Sequence, residues 1–215
     1  KVTSILPLPK GNDKTSSLML VTKNGVAKKM TSASFSDVRR SGIIAIKLDK
    51  GDNLVSALIT KKGDTVIVAT GDGQSIRFKE SDIREMGRTA GGVRGIKLDK
   101  NDEVISVDVI SKELGDKGFF LTMSANGLGK KTSLSEYKVQ NRGGSGIKTA
   151  KITPKTGKLI VGKVISEEEE LIAMSKKGQV IRTALKDIPD LGRQTQGVTI
   201  MRLRAGDGIA SLTCF

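Results

Sequence analysis

Short apolar runs recur along this chain, and each leads into a turn. The first run of each unit covers residues 18–22, 65–69, 119–123 and 171–174. The pairs that follow are Asn24-Gly25, Asp72-Gly73, Asn126-Gly127 and Lys177-Gly178. Because Asn, Asp and Gly tolerate positive φ, such pairs between apolar runs predict β-hairpins. No helical pattern of about ten residues interrupts these runs, so βαβ folds are excluded.

A second pattern has the same phase. A glycine precedes a short apolar strand at Gly42, Gly92, Gly146 and Gly197, at spacings of 50, 54 and 51 residues. A further apolar run then closes each unit, as at 54–59, 104–110 and 159–165. Two markers with one period predict a four-unit repeat protein, with approximate repeats 1–53, 54–103, 104–158 and 159–215. About four strands per unit is typical of a propeller blade, so we predict an all-β fold in one domain. A plain β-sandwich is the alternative.

Both ends of the chain resemble closing strands. Residues 2–8 match the closing run of a unit, and so do residues 208–212. We therefore expect either that closing strands swap into neighbouring blades, or that the chain is a piece of a longer array. These two expectations are compatible with each other.

Composition excludes several classes of function. The chain has 215 residues, no His, one Cys and a formal net charge of +14. Without His there is no imidazole base and no His-ligated metal, so we expect no catalytic residue, no metal and no cofactor. The single Cys214 fits a reducing compartment, and no apolar run is long enough to span a bilayer. The positive charge indicates a polyanionic partner, and it favours a nucleic acid over an anionic membrane.

The positive charges recur at fixed positions. Cations lie five residues after the marker glycine in every unit and four residues before it in three units, and the first unit has Arg39 and Arg40 instead. In a propeller such positions form a ring on one rim. The alternative is that these charges only keep edge strands soluble. Aromatic residues make up 3% of the chain, which favours phosphate contacts with a duplex over base stacking.

One segment carries a resemblance to a known family. Residues 140–146 read Gln-Asn-Arg-Gly-Gly-Ser-Gly, which resembles the gyrase box of the DNA gyrase A C-terminal domain. Segments 77–88, 91–98 and 192–198 are also similar to blades of that domain. Two basic box positions are Asn141 and Ser145 here, and the box lies in the third unit instead of the first. The chain resembles the last four blades of a longer domain, so leading blades are expected to lie outside it.

The resemblance implies a fold and a function. It implies a β-pinwheel, which is propeller-like with strand-swapped four-stranded blades, and wrapping of duplex DNA around a basic rim in support of supercoiling. It also implies a bacterial cytoplasmic, nucleoid-associated enzyme, whose remaining gyrase A domains and ATPase B subunit would be the partners. The equivalent domain of topoisomerase IV and a protein-interaction scaffold remain alternatives.

The expected DNA-binding residues follow from the recurring cations and the box. The glycines of the box allow close backbone approach, and exposed N–H groups beside Arg142 would hold phosphate. The expected residues are Arg39, Arg40, Lys47, Arg77, Arg88, Arg94, Lys97, Lys130, Lys131, Gln140, Arg142, Gly143, Gly144, Gly146, Lys148, Lys151, Arg182, Arg193 and Arg202.

Three other features have simpler interpretations. Tyr137 is expected to pack or to bond a phosphate, not to act as a nucleophile. The run 167–170 is four consecutive Glu residues, which we expect to form a solvated hairpin turn instead of a metal site. Cys214 is expected to be a buried strand residue.

Overall fold

The computed structural model describes residues 4–7, 16–35 and 41–215 and contains four antiparallel sheets. No α-helix occurs in these ranges. The strands are β1 (Ser16–Thr22), β2 (Val26–Thr31), β3 (Leu54–Lys61), β4 (Thr65–Thr70), β5 (Gln74–Lys79), β6 (Val93–Arg94), β7 (Val104–Ile110), β8 (Phe119–Ser124), β9 (Leu128–Ser133), β10 (Ile147–Lys148), β11 (Leu159–Ile165), β12 (Glu170–Ser175), β13 (Val180–Ala184), β14 (Val198–Thr199) and β15 (Ile209–Cys214). Short 3₁₀ turns follow the second strand of each repeat, at Ser32–Phe35, Glu80–Asp82, Leu134–Glu136 and Leu185–Asp187.

From here on the repeats are counted from one hairpin to the next, so that each begins with the predicted hairpin and ends with its closing strand. The pairs are β1–β2, β4–β5, β8–β9 and β12–β13. The glycine of every turn pair has a left-handed φ, between +80° and +85°. The apolar runs of these strands are mostly buried. The four hairpins predicted from the turn pairs are therefore confirmed.

Each of the first three sheets contains one strand from the next repeat. This exchanged strand is not the closing strand that we expected to swap. The orders are β3-β1-β2-β6, β10-β5-β4-β7, β11-β8-β9-β14 and β13-β12-β15. The closing strands β3, β7, β11 and β15 pair within their own repeats, so the expectation that they swap is wrong. The glycine-led strands β6, β10 and β14 instead pair with the second strand of the preceding repeat. In the described residues the fourth sheet has three strands.

The hydrophobic core lies between successive sheets. One cluster joins Met19 and Val21 of the first sheet to Val66 and Phe78 of the second. Equivalent clusters join the second sheet to the third and the third to the fourth. The closing strands also pack against one another in chain order, β3 on β7, β7 on β11 and β11 on β15. In the first three sheets the glycine-led strands therefore lie on the opposite edge, away from this packing.

Residues near the chain start fit the repeat only in part. Residues 4–7 belong to no strand, although Leu6 packs against Leu18 and Leu20 of the first sheet. The rest of the 2–8 segment lies outside the described residues. At the other end, residues 209–214 form β15, as the closing pattern predicted.

Candidate nucleic-acid interface

Three loops lie at the outer edges of the sheets, immediately before the glycine-led strands. We name them the first rim loop (residues 87–92), the second rim loop (140–146) and the third rim loop (191–197). Just before each loop, a parallel bridge joins the chain to the second strand of the preceding repeat: Lys29 with Glu85, Arg77 with Val139 and Lys131 with Asp190. Every rim loop thus belongs to one repeat and is anchored to the second strand of the preceding repeat.

The marker glycine at the end of each rim loop is required by its surroundings. Gly146 has a φ of +74°, and a Cβ at this position would collide with the Ser75 carbonyl oxygen. Gly92 and Gly197 are placed in the same way against Ala27 and Gly129. Only glycine combines this φ with such a close approach. The recurring glycines in the sequence therefore mark the points at which each loop contacts the preceding sheet.

A backbone hydrogen bond links each rim loop to an exposed lysine of the preceding repeat. The N–H groups of Lys47, Lys97 and Lys151 donate to the carbonyls of Ala90, Gly144 and Thr195 at 3.3, 2.9 and 3.0 Å. These three lysines lie five residues after the marker glycine and are exposed. Cations of two repeats therefore meet at each loop. We call these groups the rim clusters: Lys47 with Arg88, Lys97 with Arg142, and Lys151 with Arg193.

Two of the rim arginines are held by backbone carbonyls. Arg142 donates through Nη1 to the Arg94 carbonyl at 3.0 Å and through Nε to the Asp82 carbonyl at 2.8 Å. Arg193 donates through Nη1 to the Lys148 carbonyl at 3.0 Å. In the described part of the chain the Nη2 group of each arginine has no acceptor. These guanidinium groups are therefore oriented before any ligand binds, which lowers the entropy cost of binding an anion.

The predicted residues separate into four groups by exposure. Lys47, Arg88, Arg94, Lys97, Gly144, Lys148, Lys151, Arg182 and Arg202 are exposed. Lys131, Gln140, Arg142, Gly143, Gly146 and Arg193 are partly buried, and Arg77 and Lys130 are buried. Arg39 and Arg40 lie outside the described residues.

In the first three repeats, cations of the second strands connect neighbouring repeats, whereas Arg182 in the fourth repeat is exposed. Arg77 donates to Asp116 at 2.6 Å and to the carbonyls of Leu134 and Tyr137 in the next repeat, both at 3.3 Å. Lys131 donates to the Leu185 carbonyl at 3.1 Å, and Arg182 pairs with Glu170 of its own hairpin. The position of Arg77 and Lys130 inside the protein contradicts their expected exposure, because the next repeat covers the outer face of these strands.

The structure also gives roles to three cations outside the expected set, of which Lys29 had been noted only as a recurring cation four residues after the hairpin glycine. Lys28 is fully buried and occupies the position of Lys130 in the first repeat. Lys29 pairs with Glu80 at 2.6 Å, which makes it the equivalent of Arg77 as a link between repeats. Arg84 is exposed and lines the same groove as Arg142. The adjacent Lys28-Lys29 and Lys130-Lys131 pairs were the available signal.

The remaining candidates have structural roles. Tyr137 is buried, its hydroxyl lies 2.7 Å from Thr149 Oγ1, and burial raises its pKa to about 12. The turn from β11 to β12 contains Glu167, Glu168 and Glu169, and Glu170 is the first residue of β12. No group of metal-ligating side chains occurs in the described residues. Cys214 lies in a strand as expected, at the end of β15, but it is only partly buried. Desolvation still raises the pKa of its thiol to about 11. No described helix is long and apolar enough to span a membrane.

Comparison with known proteins identifies the family. The family described as "DNA gyrase C-terminal domain, beta-propeller" matches residues 16–61, 64–111, 118–166 and 169–215. The DNA gyrase A protein of Ureaplasma parvum is 38% identical over 216 residues, which cover 100% of this chain and 25% of that protein. The DNA gyrase A protein of Staphylococcus epidermidis is 39% identical over 191 residues, 89% of this chain and 21% of that protein. The chain thus spans a quarter or less of these relatives.

Solved structures agree with the sheet topology. A DNA gyrase A C-terminal domain superposes with a TM-score of 0.85 and 28% identity, over 96% of this chain and 68% of that one. The C-terminal domain of a DNA topoisomerase IV has a TM-score of 0.88 and 20% identity, over 96% and 64%, and shows the same fold. The predicted all-β pinwheel is therefore confirmed, and the chain belongs to the DNA gyrase C-terminal domain family.

Proposed function

We propose that this domain binds duplex DNA at its rim clusters and curves it around the outer edges of successive sheets. The observation that supports this proposal most directly is the linkage of each rim loop to a lysine of the neighbouring repeat. This linkage repeats three times with the same geometry. A recurring set of cations matches the recurring phosphates of a polyanion, and contacts of this kind position DNA without reading its sequence.

The exposed surface favours a duplex over a single strand. Single-strand binding depends on exposed aromatic rings that stack on bases. In the described residues, Phe215 at 53% exposure is the aromatic ring most open to solvent, and Arg182 covers one face of it. The rim loops themselves contain no aromatic residue. Phosphate contact is therefore the chemistry that the rim supports.

The wider role follows from the family. We propose that the domain is the non-catalytic, DNA-wrapping part of a gyrase A protein in the bacterial cytoplasm. The rest of gyrase A, together with the ATPase B subunit, would then be its partners, and supercoiling would be the activity it supports. The gyrase role is favoured over the topoisomerase IV role because the relatives with 38–39% identity are gyrase A proteins.

A salt titration tests this function. Affinity for a labelled duplex long enough to reach several rim clusters falls by roughly 0.9 log units per log unit of salt for each phosphate contacted, so we expect a slope of magnitude about 4 or more. Fluorescence anisotropy at increasing salt measures this slope. An affinity that does not change with salt would instead support a protein-interaction scaffold whose charge is incidental.

A further inference from the structure

The three rim loops rest on different side chains at one equivalent position. Lys28, Ile76 and Lys130 each lie three residues after the hairpin glycine, on the second strand beneath a rim loop. All three are at most 1% exposed. Two loops therefore have a buried ammonium group behind them, and one has an aliphatic side chain.

The buried lysines bond to backbone carbonyls of the loops. Lys28 Nζ donates to the carbonyls of Arg88 and Ala90 at 2.6 and 2.9 Å, and to that of Ala45 at 2.7 Å. Lys130 Nζ donates to the carbonyls of Gly192 and Arg193 at 2.5 and 2.6 Å. Neither lysine forms an ion pair in the described part of the chain. The carbonyl common to both sites belongs to the rim arginine, Arg88 or Arg193.

This contact fixes the orientation of the next peptide group. In a trans peptide the C=O and N–H bonds point in opposite directions. Because the carbonyls of Arg88 and Arg193 point inward to a lysine, the N–H groups of Thr89 and Gln194 point away from it. Both residues are exposed, and their N–H groups have no acceptor within the described ranges.

The second rim loop has the opposite arrangement. Its equivalent N–H belongs to Gly143, which donates inward to the Gly95 carbonyl at 2.6 Å. Gly143 also has a left-handed φ of +81°. Ile76 has no donor with which to attract the Arg142 carbonyl. The N–H of Gly143, next to Arg142, is therefore already bonded and is not one of the exposed N–H groups expected to hold phosphate there.

We propose that Lys28 and Lys130 are positioning residues that turn the N–H groups of Thr89 and Gln194 outward to bind DNA phosphate. This inference rests on the proposed function. In the first and third rim loops a backbone N–H and an adjacent arginine then bind one phosphate together, as in other anion sites made by backbone amides. The second rim loop binds through side chains alone.

The charge of the lysines supports the same role. Burial lowers the pKa of both lysines, that of Lys130 to about 8, so that Lys130 is mainly charged at neutral pH. A positive charge behind the loop adds to the attraction for phosphate and polarises the peptide between them. The charged groups that act on Lys130 are Glu136, which favours its charged form, and Arg193, which disfavours it.

Amide NMR during titration with a short duplex tests the proposal. We expect the amide protons of Thr89 and Gln194 to move downfield as phosphate binds, while that of Gly143 moves little. Lys28→Met and Lys130→Met each remove the charge with little change in length, and should abolish the shift in their own loop. We expect each variant to bind the duplex roughly tenfold more weakly, which corresponds to one lost charge-assisted hydrogen bond. Lys62→Met, in the exposed turn between β3 and β4, removes the same charge and should leave both shifts intact.

The outcomes separate this inference from the proposed function. A protein that does not bind the duplex overturns both. A protein that binds the duplex while the Thr89 and Gln194 amides stay unshifted overturns only the positioning role. Equal shifts in the Met variants and the unsubstituted protein overturn it as well. Should a Met variant not fold, the titration of the unsubstituted protein still decides, because the contrast with Gly143 lies within one molecule.

Discussion

Gly127 and Gly178 occupy the same hairpin position in successive repeats, with φ of +83° and +85°, but only Gly127 is covered by another repeat. A Cβ at Gly127 would collide with the Met201 carbonyl oxygen. A Cβ at Gly178 would meet no heavy atom of the described residues within 4 Å. The segment that follows Gly197 in the fourth repeat packs against the turn that contains Gly127. A side chain at Gly178 would therefore strain only the backbone, whereas one at Gly127 would also disturb the contact with the fourth repeat.

We expect Gly127→Ala to destabilise the domain much more than Gly178→Ala. At residue 178 the cost is the left-handed φ alone, about 1–2 kcal/mol. At residue 127 the displaced Met201 segment adds further loss, because β14 and the third rim loop lie in the same segment. Thermal denaturation of the two variants measures the difference. Equal losses would show that docking on this turn contributes nothing to stability.

Much of this architecture was predictable from the sequence, but the exchange of strands was not. The apolar runs and the Asn-Gly or Asp-Gly pairs specify each hairpin locally. Strands such as β6 and β10 are two residues long, and their partners lie in another repeat. Composition carries no information on such a pairing. The marker glycines were visible, but their docking surfaces were not.

The rim was predicted better at loop positions than at strand positions. Lys47, Lys97 and Lys151 recur in register and are exposed as expected. Arg77 recurs equally well, as Lys29, Lys131 and Arg182 in the other repeats, but it is buried because the next repeat covers its strand on the face where a single sheet would be open. Recurrence alone therefore cannot separate a cation that binds a ligand from one that joins two repeats.

The two kinds of cation should respond differently to substitution. Arg77→Met leaves the carbonyls of Leu134 and Tyr137 buried without this donor, which should cost about 2–3 kcal/mol. Arg88→Met removes an exposed charge and should weaken DNA binding with little change in stability. Urea denaturation and duplex anisotropy on both variants test this. Loss of affinity without loss of stability in Arg77→Met would place Arg77 in the interface after all.

The rim arginines should matter more than the acidic turn between β11 and β12. A triple variant in which Ala replaces Arg88, Arg142 and Arg193 loses one cation from each rim cluster. Its affinity for DNA should fall, and the magnitude of the salt dependence of binding should decrease by about 2–3. Replacing Glu167, Glu168 and Glu169 with Gln should leave binding unchanged or strengthen it. The opposite result would mean that DNA binds another face.

Stability should depend on pH through Lys130. Its pKa is about 8 in the folded protein against 10.5 for an ordinary lysine, because burial disfavours the charged form. Between these pH values the unfolded chain binds more protons, so the free energy of unfolding should rise with pH in this range. Lys130→Met should reduce that rise, and urea denaturation across the range measures it. An identical rise in both proteins would show that Lys130 titrates normally.

The last prediction separates binding from bending, and it depends on Gly143 and Gly144 of the second rim loop. Gly143 combines a φ of +81° with an N–H bond to Gly95, whereas Gly144 has no left-handed φ, and a Cβ there would meet its nearest atom only at 3.8 Å. Gly143→Val should therefore distort the loop and displace Arg142, and Gly144→Val should not. Neither changes the net charge of +14.

A short duplex contacts few repeats, so both variants should bind it nearly as well as the unsubstituted protein. A long duplex must curve to reach further repeats, and that curvature costs a few kcal/mol, which contacts at each rim cluster offset. Compaction of a long duplex, followed by energy transfer between dyes at its ends, should fall in Gly143→Val and persist in Gly144→Val. If both variants compact the duplex as well as the unsubstituted protein, the second rim loop is only a turn, and DNA curvature depends on the two lysine-backed loops alone.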